Sequence, residues 1–372
     1  MKIRCQKQIF LKALQSINAV ATPRDLYPVL ENVRITATKD QLLLRATDLK
    51  ISLTYFFTKD QVEILESGEL LIPALRLQNL VKETPDNDIV LEQDGLNGIL
   101  TSQNSRFCIL GEELDKFPEI PEFQEQPLLE IGAEDFQKLI KKTLFATTAE
   151  KTRYDLDNVL VCLQEQGIRF VATDGKRLAL CDRKCQLLGQ AANPKFTVPS
   201  KGLQQIEKVI SATTPDKVLL SLVNNQLLFR TSDILLSTRL SEAKFPPYER
   251  VVPKNLPFSI TFAVKDFSSA LRRVCILTDE KNKIVEISFT ATMAKFFSMG
   301  ETTGEASVEI PVAFSGIPFT IKFNANFLLE MVKVVENTEI EMWLQDGQSP
   351  VLIKDGTDFQ YVVLPIKIEE AG

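Results

Sequence analysis

The residues best suited to chemistry are two aspartates, Asp48 and Asp174, each closing the same tripeptide: Ala46-Thr47-Asp48 and Ala172-Thr173-Asp174. Carboxylates can hold the divalent metals of phosphoryl transfer, so one reading makes the chain a metal-dependent phosphoryl-transfer enzyme. The two aspartates lie far apart in sequence and no third acidic partner accompanies them. Histidine is absent from all 372 residues. That excludes Ser-His-Asp and Cys-His nucleophilic systems and every His-ligated metal site, and it removes the usual proton shuttle. The six cysteines, Cys5, Cys108, Cys162, Cys181, Cys185 and Cys275, show no framework spacing, so reduced thiols are expected. Cys181 and Cys185 form the one close pair, but a structural zinc needs four ligands and no second pair follows. The residue inventory points to a binding protein, with no catalytic residue, cofactor or metal expected.

The aspartates belong to a longer pattern. Ala46-Thr47-Asp48 returns as Ala172-Thr173-Asp174 at a shift of 126, and Pro73-Ala74 with Leu77 and Leu80 returns as Pro199-Ser200 with Leu203 and Ile206 at the same shift. A third version is Asn324-Ala325 with Leu328 and Met331, and Lys116-Phe117-Pro118 returns as Lys244-Phe245-Pro246. Opening helices are expected over Ile9–Leu14, Phe136–Ile140 and Phe267–Leu271. Matches in one order at nearly one offset indicate triplication. Within the first copy, Phe10, Leu14, Ile17 and Ala21 have helical spacing. Short strands follow at 41–44 and 51–56, then a second helix near 75–83 (202–210 and 325–336 in the other copies), then strands near 88–92, 98–101 and 106–110. Asp-Gly and Asn-Gly pairs at 94–95, 97–98 and 174–175 are hairpin-turn chemistry. Two helices and many short strands per copy predict an α+β fold with helices on one face of antiparallel sheet. Domains are expected over 1–124, 125–253 and 254–372, joined by the proline-rich segments 118–127 and 246–257.

Apolar residues make up 44% of the chain and charged residues 25%, ordinary for a globular protein. No apolar run approaches a membrane span, and the amphipathic start does not read as a signal peptide, so a cytoplasmic location is expected. The formal charge is −6, yet it is unevenly placed. The six expected helical segments carry a net +7, leaving −13 for the remainder. Lys7, Lys12, Lys138, Lys141, Lys142, Lys201, Arg272 and Arg273 supply much of it. A basic helical surface on an acidic body would attract phosphate while the rest repels it. No base-reading motif accompanies these residues, so contact would be with backbone and independent of sequence.

Four stretches carry a family resemblance. Val171-Ala172-Thr173-Asp174-Gly175-Lys176-Arg177-Leu178-Ala179-Leu180 is similar to the Ala-Thr-Asp-Gly-His-Arg-Leu-Ala signature of bacterial DNA sliding clamps, the DNA polymerase III beta subunit family, with Lys176 where histidine is usual. Arg153-Tyr154-x-Leu156, the segment Phe245–Pro253 and the end Tyr361–Ile368 also resemble family motifs. The resemblance implies three clamp-fold domains and a head-to-tail homodimeric ring, with helices lining a hole for double-stranded DNA. It implies a processivity factor rather than an enzyme. Its partners would be the DNA polymerase III core, the clamp-loader ATPase and other replication and repair enzymes carrying clamp-binding peptides. The implied peptide pocket comprises Arg153, Leu156, Thr173, Gly175, Lys176, Arg177, Leu178, Pro246, Arg250, Val251, Leu364, Pro365, Ile366 and Lys367. The implied subunit contact maps to Arg76, Phe107 and Ile109 on one face and to Ile276 and Leu277 on the other. Arg24 resembles a position that touches DNA. Lys176 and the extension Glu369–Gly372 depart from the pattern and bear on partner preference.

Overall fold

In a computed structural model, residues 1–21, 27–102, 104–123, 127–150, 154–189, 194–279 and 283–366 are described. Six α-helices are found among them: α1 (Lys7–Asn18), α2 (Ala74–Glu83), α3 (Ala133–Leu144), α4 (Ser200–Thr213), α5 (Val264–Val274) and α6 (Ala325–Val332). They stand where the repeat places them. The helices α1, α3 and α5 each follow directly on a strand, and each carries phenylalanine at its fourth position: Phe10, Phe136 and Phe267. All three rings are fully buried. Burial of one such ring contributes about 2–3 kcal/mol, so this position anchors each copy. The repeat therefore aligns Phe10, not Ile9, with Phe136 and Phe267.

The chain forms two compact units, one of Met1–Glu134, Cys185–Ala191 and Lys201–Leu240, the other of Asp135–Lys184, Ala192–Ser200 and Ser241–Gly372. The sequence copies and the compact units follow different logic, because the middle copy gives its parts to both. In the first unit a nine-stranded sheet is completed when Ile234–Arg239 pairs antiparallel with Ile51–Phe57, in the register Ile234↔Tyr55 and Leu236↔Leu53. A buried Ser52–Ser237 hydroxyl pair at 2.6 Å satisfies two polar groups at that seam. In the second unit an eight-stranded sheet is completed when Phe359–Val363 pairs with Arg177–Lys184, in the register Leu178↔Val362. A five-stranded sheet in the first unit and a four-stranded sheet in the second are the smaller partners.

The strands expected near 41–44, 51–56, 88–92, 98–101 and 106–110 are found as Leu42–Thr47, Ile51–Phe57, Asp88–Asp94, Asn97–Ser102 and Ser105–Ile109. Asn97-Gly98 opens a strand instead of forming a turn; the turn falls one step earlier, where Gly95 has φ +63°. No helix among the described residues is long and apolar enough to cross a membrane.

Candidate functional site

The turn at Asp174 is built by its own side chains. The Asp174 carboxylate accepts from the amides of Lys176 and Arg177, both at 2.9 Å, and Thr173 Oγ1 donates to the Arg177 carbonyl at 2.6 Å. Gly175 has φ +87°, a conformation that costs glycine nothing. Asp48 does the same work in the first copy, accepting from the amides of Lys50 and Ile51 at 2.9 and 2.7 Å. Its other oxygen takes Lys201 Nζ at 2.9 Å. Burial raises the Asp48 carboxyl, but Lys201 and the two amides outweigh it and hold it below the usual range. This corrects the metal-dependent phosphoryl-transfer reading. Both carboxylates are spent on turns, and no metal-sized group of His, Cys, Asp or Glu occurs among the described residues. Cys181 is a buried thiol whose pKa burial pushes up to about 12, so it remains a thiol.

Several expected pocket residues meet at this turn. Leu156 is buried, and its Cδ1 would lie 4.0 Å from a Cβ placed on Gly175. The chain end crosses the turn: the Leu364 amide donates to the Lys176 carbonyl at 2.9 Å and the Ile366 amide to the Lys322 carbonyl at 2.8 Å. Leu364, Pro365 and Ile366 are half-buried while Lys176 is exposed. Two residues along from Lys176, Leu178 enters an apolar cluster on the sheet with Leu160, Val171, Leu180, Leu352 and Val362. The segment after Phe245 closes that cluster with Tyr248, and Phe245 and Val252 pack at its edge. Pro246 is half-buried in this segment, Arg250 is exposed, and Val251 keeps 44% of its surface in solvent. Apolar surface thus lies open beside a cationic turn.

Arg177 behaves differently. Strand alternation turns it away from Leu178, and its guanidinium is buried. Nε donates to Asp174 at 3.0 Å, Nη2 to the Phe145 carbonyl at 2.7 Å, and Nη1 to Glu330. The Phe327 ring lies 4.5 Å below it. Arg177 therefore ties the strand to α6 and to the residues after α3, and it positions the turn instead of lining a slot. Arg153 and Lys367 lie outside the described residues, as does Arg24.

The expected cationic surface is partly realised. Lys12, Lys141, Arg272 and Arg273 are exposed on α1, α3 and α5. Lys201 is exposed on α4 but paired with Asp48. Lys138 pairs with Glu336 at 3.2 Å, and Lys7 donates to the Thr84 carbonyl. Lys142 is a correction. Its side chain is 4% exposed and is bonded to the fully buried Asp355 at 2.8 Å and to Glu336 at 3.0 Å, so it joins α3 to the strand Val351–Asp355 and is not a surface cation. Exposed Lys82, Lys208 and Lys265 on α2, α4 and α5 were counted in the helical charge but not singled out.

Of the expected subunit-contact residues, Arg76 is exposed and Phe107 is half-buried. Ile109 is 4% exposed and serves its own core. Both Phe107 and Ile109 lie on Ser105–Ile109, an edge strand of the five-stranded sheet, followed by the exposed Leu110. Ile276 is 74% exposed and Leu277 half-buried, in a 3-10 turn that Thr303 holds by donating to the Leu277 carbonyl at 2.6 Å. The adjacent strand Gly304–Pro311 is an edge strand of the four-stranded sheet. That edge was not singled out from sequence, although Ala306, Val308 and Ile310 alternate as a strand should.

Comparison with known proteins agrees along the full length. Residues 1–121, 130–247 and 249–367 match the N-terminal, central and C-terminal domains of the DNA polymerase III beta subunit. The beta sliding clamp of Synechococcus elongatus is 28% identical over 376 residues, covering 99% of this chain and 100% of the relative. The crystal structure of the DNA polymerase III subunit beta from Pseudomonas aeruginosa superposes with a TM-score of 0.92 at 27% identity, over 99% of this chain and 100% of that one. A sliding clamp from the same organism bound to griselimycin gives 0.91 at 28% identity and the same coverage. With the repeated helix-and-sheet copies and three matched domains in order, the chain belongs to the DNA polymerase III beta subunit family.

Proposed function

We propose that the chain is a sliding clamp: a processivity factor that encircles double-stranded DNA and tethers the replicative polymerase to it, without chemistry of its own. The observation that carries this is the match of all three beta-subunit domains in order, together with whole-chain likeness to solved clamps. In this reading the domains run 1–124, 125–253 and 254–372. Two subunits join head to tail through the open edges at Ser105–Ile109 and Gly304–Pro311, a heterologous contact that closes into a ring. Lys12, Lys138, Lys141, Lys201, Arg272 and Arg273 face DNA backbone. A closed ring cannot leave DNA sideways, so weak contacts suffice, and strong ones would impede sliding. The slot beside the Asp174 turn takes short peptides of the polymerase III core, the clamp-loader ATPase and other replication enzymes. Its open apolar side chains would receive an apolar anchor, and Lys176 would meet acidic neighbours of that anchor. The protein works in the cytoplasm.

The test is mass by light scattering, then retention on circular DNA after loading by a clamp-loader ATPase. The proposal expects a dimer near twice 41.9 kDa, held on nicked circles and released when the circle is linearised. A monomer, or equal retention on both forms, refutes it.

A further inference from the structure

The first unit holds a second groove, of ≈ 440 Å³, between its nine-stranded sheet and the segment after Phe117-Pro118. The sheet contributes Leu43, Phe56, Leu219 and Leu235, and the segment contributes Ile120 and Phe123. Two arginines also line it. Arg230 lies with its guanidinium 3.8 Å from the centre of the Phe56 ring and donates once, to the Ser232 carbonyl at 3.3 Å. Arg45 stands on the strand Leu42–Thr47, half-buried. Neither forms an ion pair among the described residues. Glu122 lies at the rim, exposed and acting on Arg45 only through space, and Glu69 is committed to Arg34 at 2.9 Å. Burial, then the like charge of Arg34, pulls the Arg45 pKa down. Burial does the same to Arg230, against the nearby charge of Asp233.

In the second unit the equivalent positions are filled or paired. Leu43 and Phe56 face each other across their ladder; the equivalent pair at a shift of 126 is Arg169 and Asp182, a forked ion pair at 2.7 and 2.8 Å. Arg230 faces Leu219; at the equivalent ladder position Lys354 faces Glu341. Arg45 and Thr54 correspond to Val171 and Leu180, which are buried in the apolar cluster. Ile120, at a shift of 128, corresponds to Tyr248, whose ring fills that cluster and bonds Arg169. In the first unit both acids are replaced by apolar residues and the filling tyrosine by a smaller side chain. What remains is a groove with apolar walls and two arginines that no ion pair neutralises among the described residues, Asp233 acting on Arg230 and Glu122 and Glu69 on Arg45 only through space. Such cations, partly withdrawn from water, favour an anion that brings its own apolar group.

We infer that this groove is a second peptide-docking site, taking a linear segment of a partner protein in which an apolar side chain is flanked by carboxylates. The apolar side chain lies among Leu43, Leu219, Leu235 and Ile120, and the carboxylates pair with Arg45 and Arg230.

The test uses the full-length protein and fluorescein-labelled tetrapeptides Asp-X-Asp-Ile, with X leucine, isoleucine, phenylalanine, tyrosine or tryptophan, read by fluorescence anisotropy. Each is compared with its Asn-X-Asn-Ile amide. Saturable binding of at least one acidic peptide is expected, with its amide counterpart about tenfold weaker or worse, the scale of one lost charged hydrogen bond. Ile120→Tyr with Thr54→Leu imports the second copy's own filling residues and should weaken binding at least as much. Arg45→Gln with Arg230→Gln should do the same by charge alone. Val251→Glu, at the other slot, should remove only binding that survives in both groove variants. Melting temperatures identify any variant that fails to fold, and the two independent groove variants cover for each other. Absence of saturable binding, equal binding of acid and amide, or loss on Val251→Glu with retention in both groove variants would overturn the inference.

Discussion

Leu49 occupies in the first copy the turn position that Gly175 holds in the second, with φ +72° and half its surface in solvent. For a bulky residue this left-handed conformation costs about 1–2 kcal/mol. It persists because Asp48 and Thr47 hold the turn from both sides, the Leu49 amide donating to Thr47 Oγ1 at 3.0 Å. Leu49→Gly should therefore raise the unfolding free energy by about 0.5–1 kcal/mol, net of glycine's extra freedom when unfolded, as read by urea denaturation. An unchanged or lower midpoint would show the turn to be unstrained. The Asp174-Gly175 turn was legible in sequence because glycine announces it; its twin at Asp48 was legible only through the repeat. Lys142 marks a limit of the same kind. Lys138, Lys141 and Lys142 look alike along the chain, and only the approach of Asp355, 213 residues away, separates a buried cation from exposed ones. The roles of Arg177 and Asp48 were hidden for the same reason: their partners are distant in sequence.

At the scale of elements, the Lys142–Asp355 pair fastens α3 to the strand Val351–Asp355. Burial raises the Asp355 carboxyl, but the hydrogen bond from Lys142, the amides of Glu336 and Asn337 and the charge of Lys142 outweigh it and hold it below the usual range. A carboxyl depressed in the folded state contributes stability above its unfolded value, near 4, and loses it as pH falls through the folded value. The protein should thus lose stability on acidification below about pH 4. Lys142→Met, which leaves Asp355 buried without its cation, should cost about 3 kcal/mol at pH 7, while Asp355→Asn should flatten the acid limb. Thermal melts at pH 7 and pH 3.5 check both; a Lys142→Met melt equal to the parent's would deny the pair its structural role. The helices themselves were readable because their apolar spacing and their Phe10, Phe136 and Phe267 anchors repeat. Their exposed cations make a separate prediction. Replacing Lys12, Lys141, Arg272 and Arg273 together by glutamine removes four surface charges without breaking any ion pair described above. The slope of log affinity against log salt for duplex DNA should flatten by up to about 3.6 per subunit if all four meet phosphate. A slope unchanged from the parent would place these helices away from DNA. For the slot beside Asp174, Val251→Glu should weaken binding of a polymerase clamp-binding peptide about tenfold with no loss of melting temperature, because Val251 is exposed while Leu178 is core. Calorimetric titration showing parental affinity would remove Val251 from the slot.

At the scale of the whole molecule, three sequence copies become two compact units because strands pair where copies meet. The copies were legible from local motifs. The units were not, since the decisive ladders, Ile234–Arg239 on Ile51–Phe57 and Phe359–Val363 on Arg177–Lys184, join residues some 180 positions apart. Each unit closes its large sheet this way yet leaves a smaller sheet with an open edge, Ser105–Ile109 in one and Gly304–Pro311 in the other. Open edges are templates for pairing with another chain, and these two stand beside exposed Leu110, Ile276 and Met299. Head-to-tail closure pairs the first of these edges with the second. Ile276 tests this cleanly. Its side chain is mostly in solvent within the subunit, so Ile276→Asp should change the melting temperature of the isolated subunit little. In a subunit interface the same change removes about 1.5–3 kcal/mol of apolar burial and adds the cost of desolvating a carboxylate, which raises the dimer dissociation constant at least a hundredfold by the usual 1.4 kcal/mol per decade. Light scattering at micromolar concentration should then report a mass near 41.9 kDa, and retention on nicked circular DNA should fall with it. If Ile276→Asp stayed dimeric with retention intact, the head-to-tail contact would have to lie elsewhere.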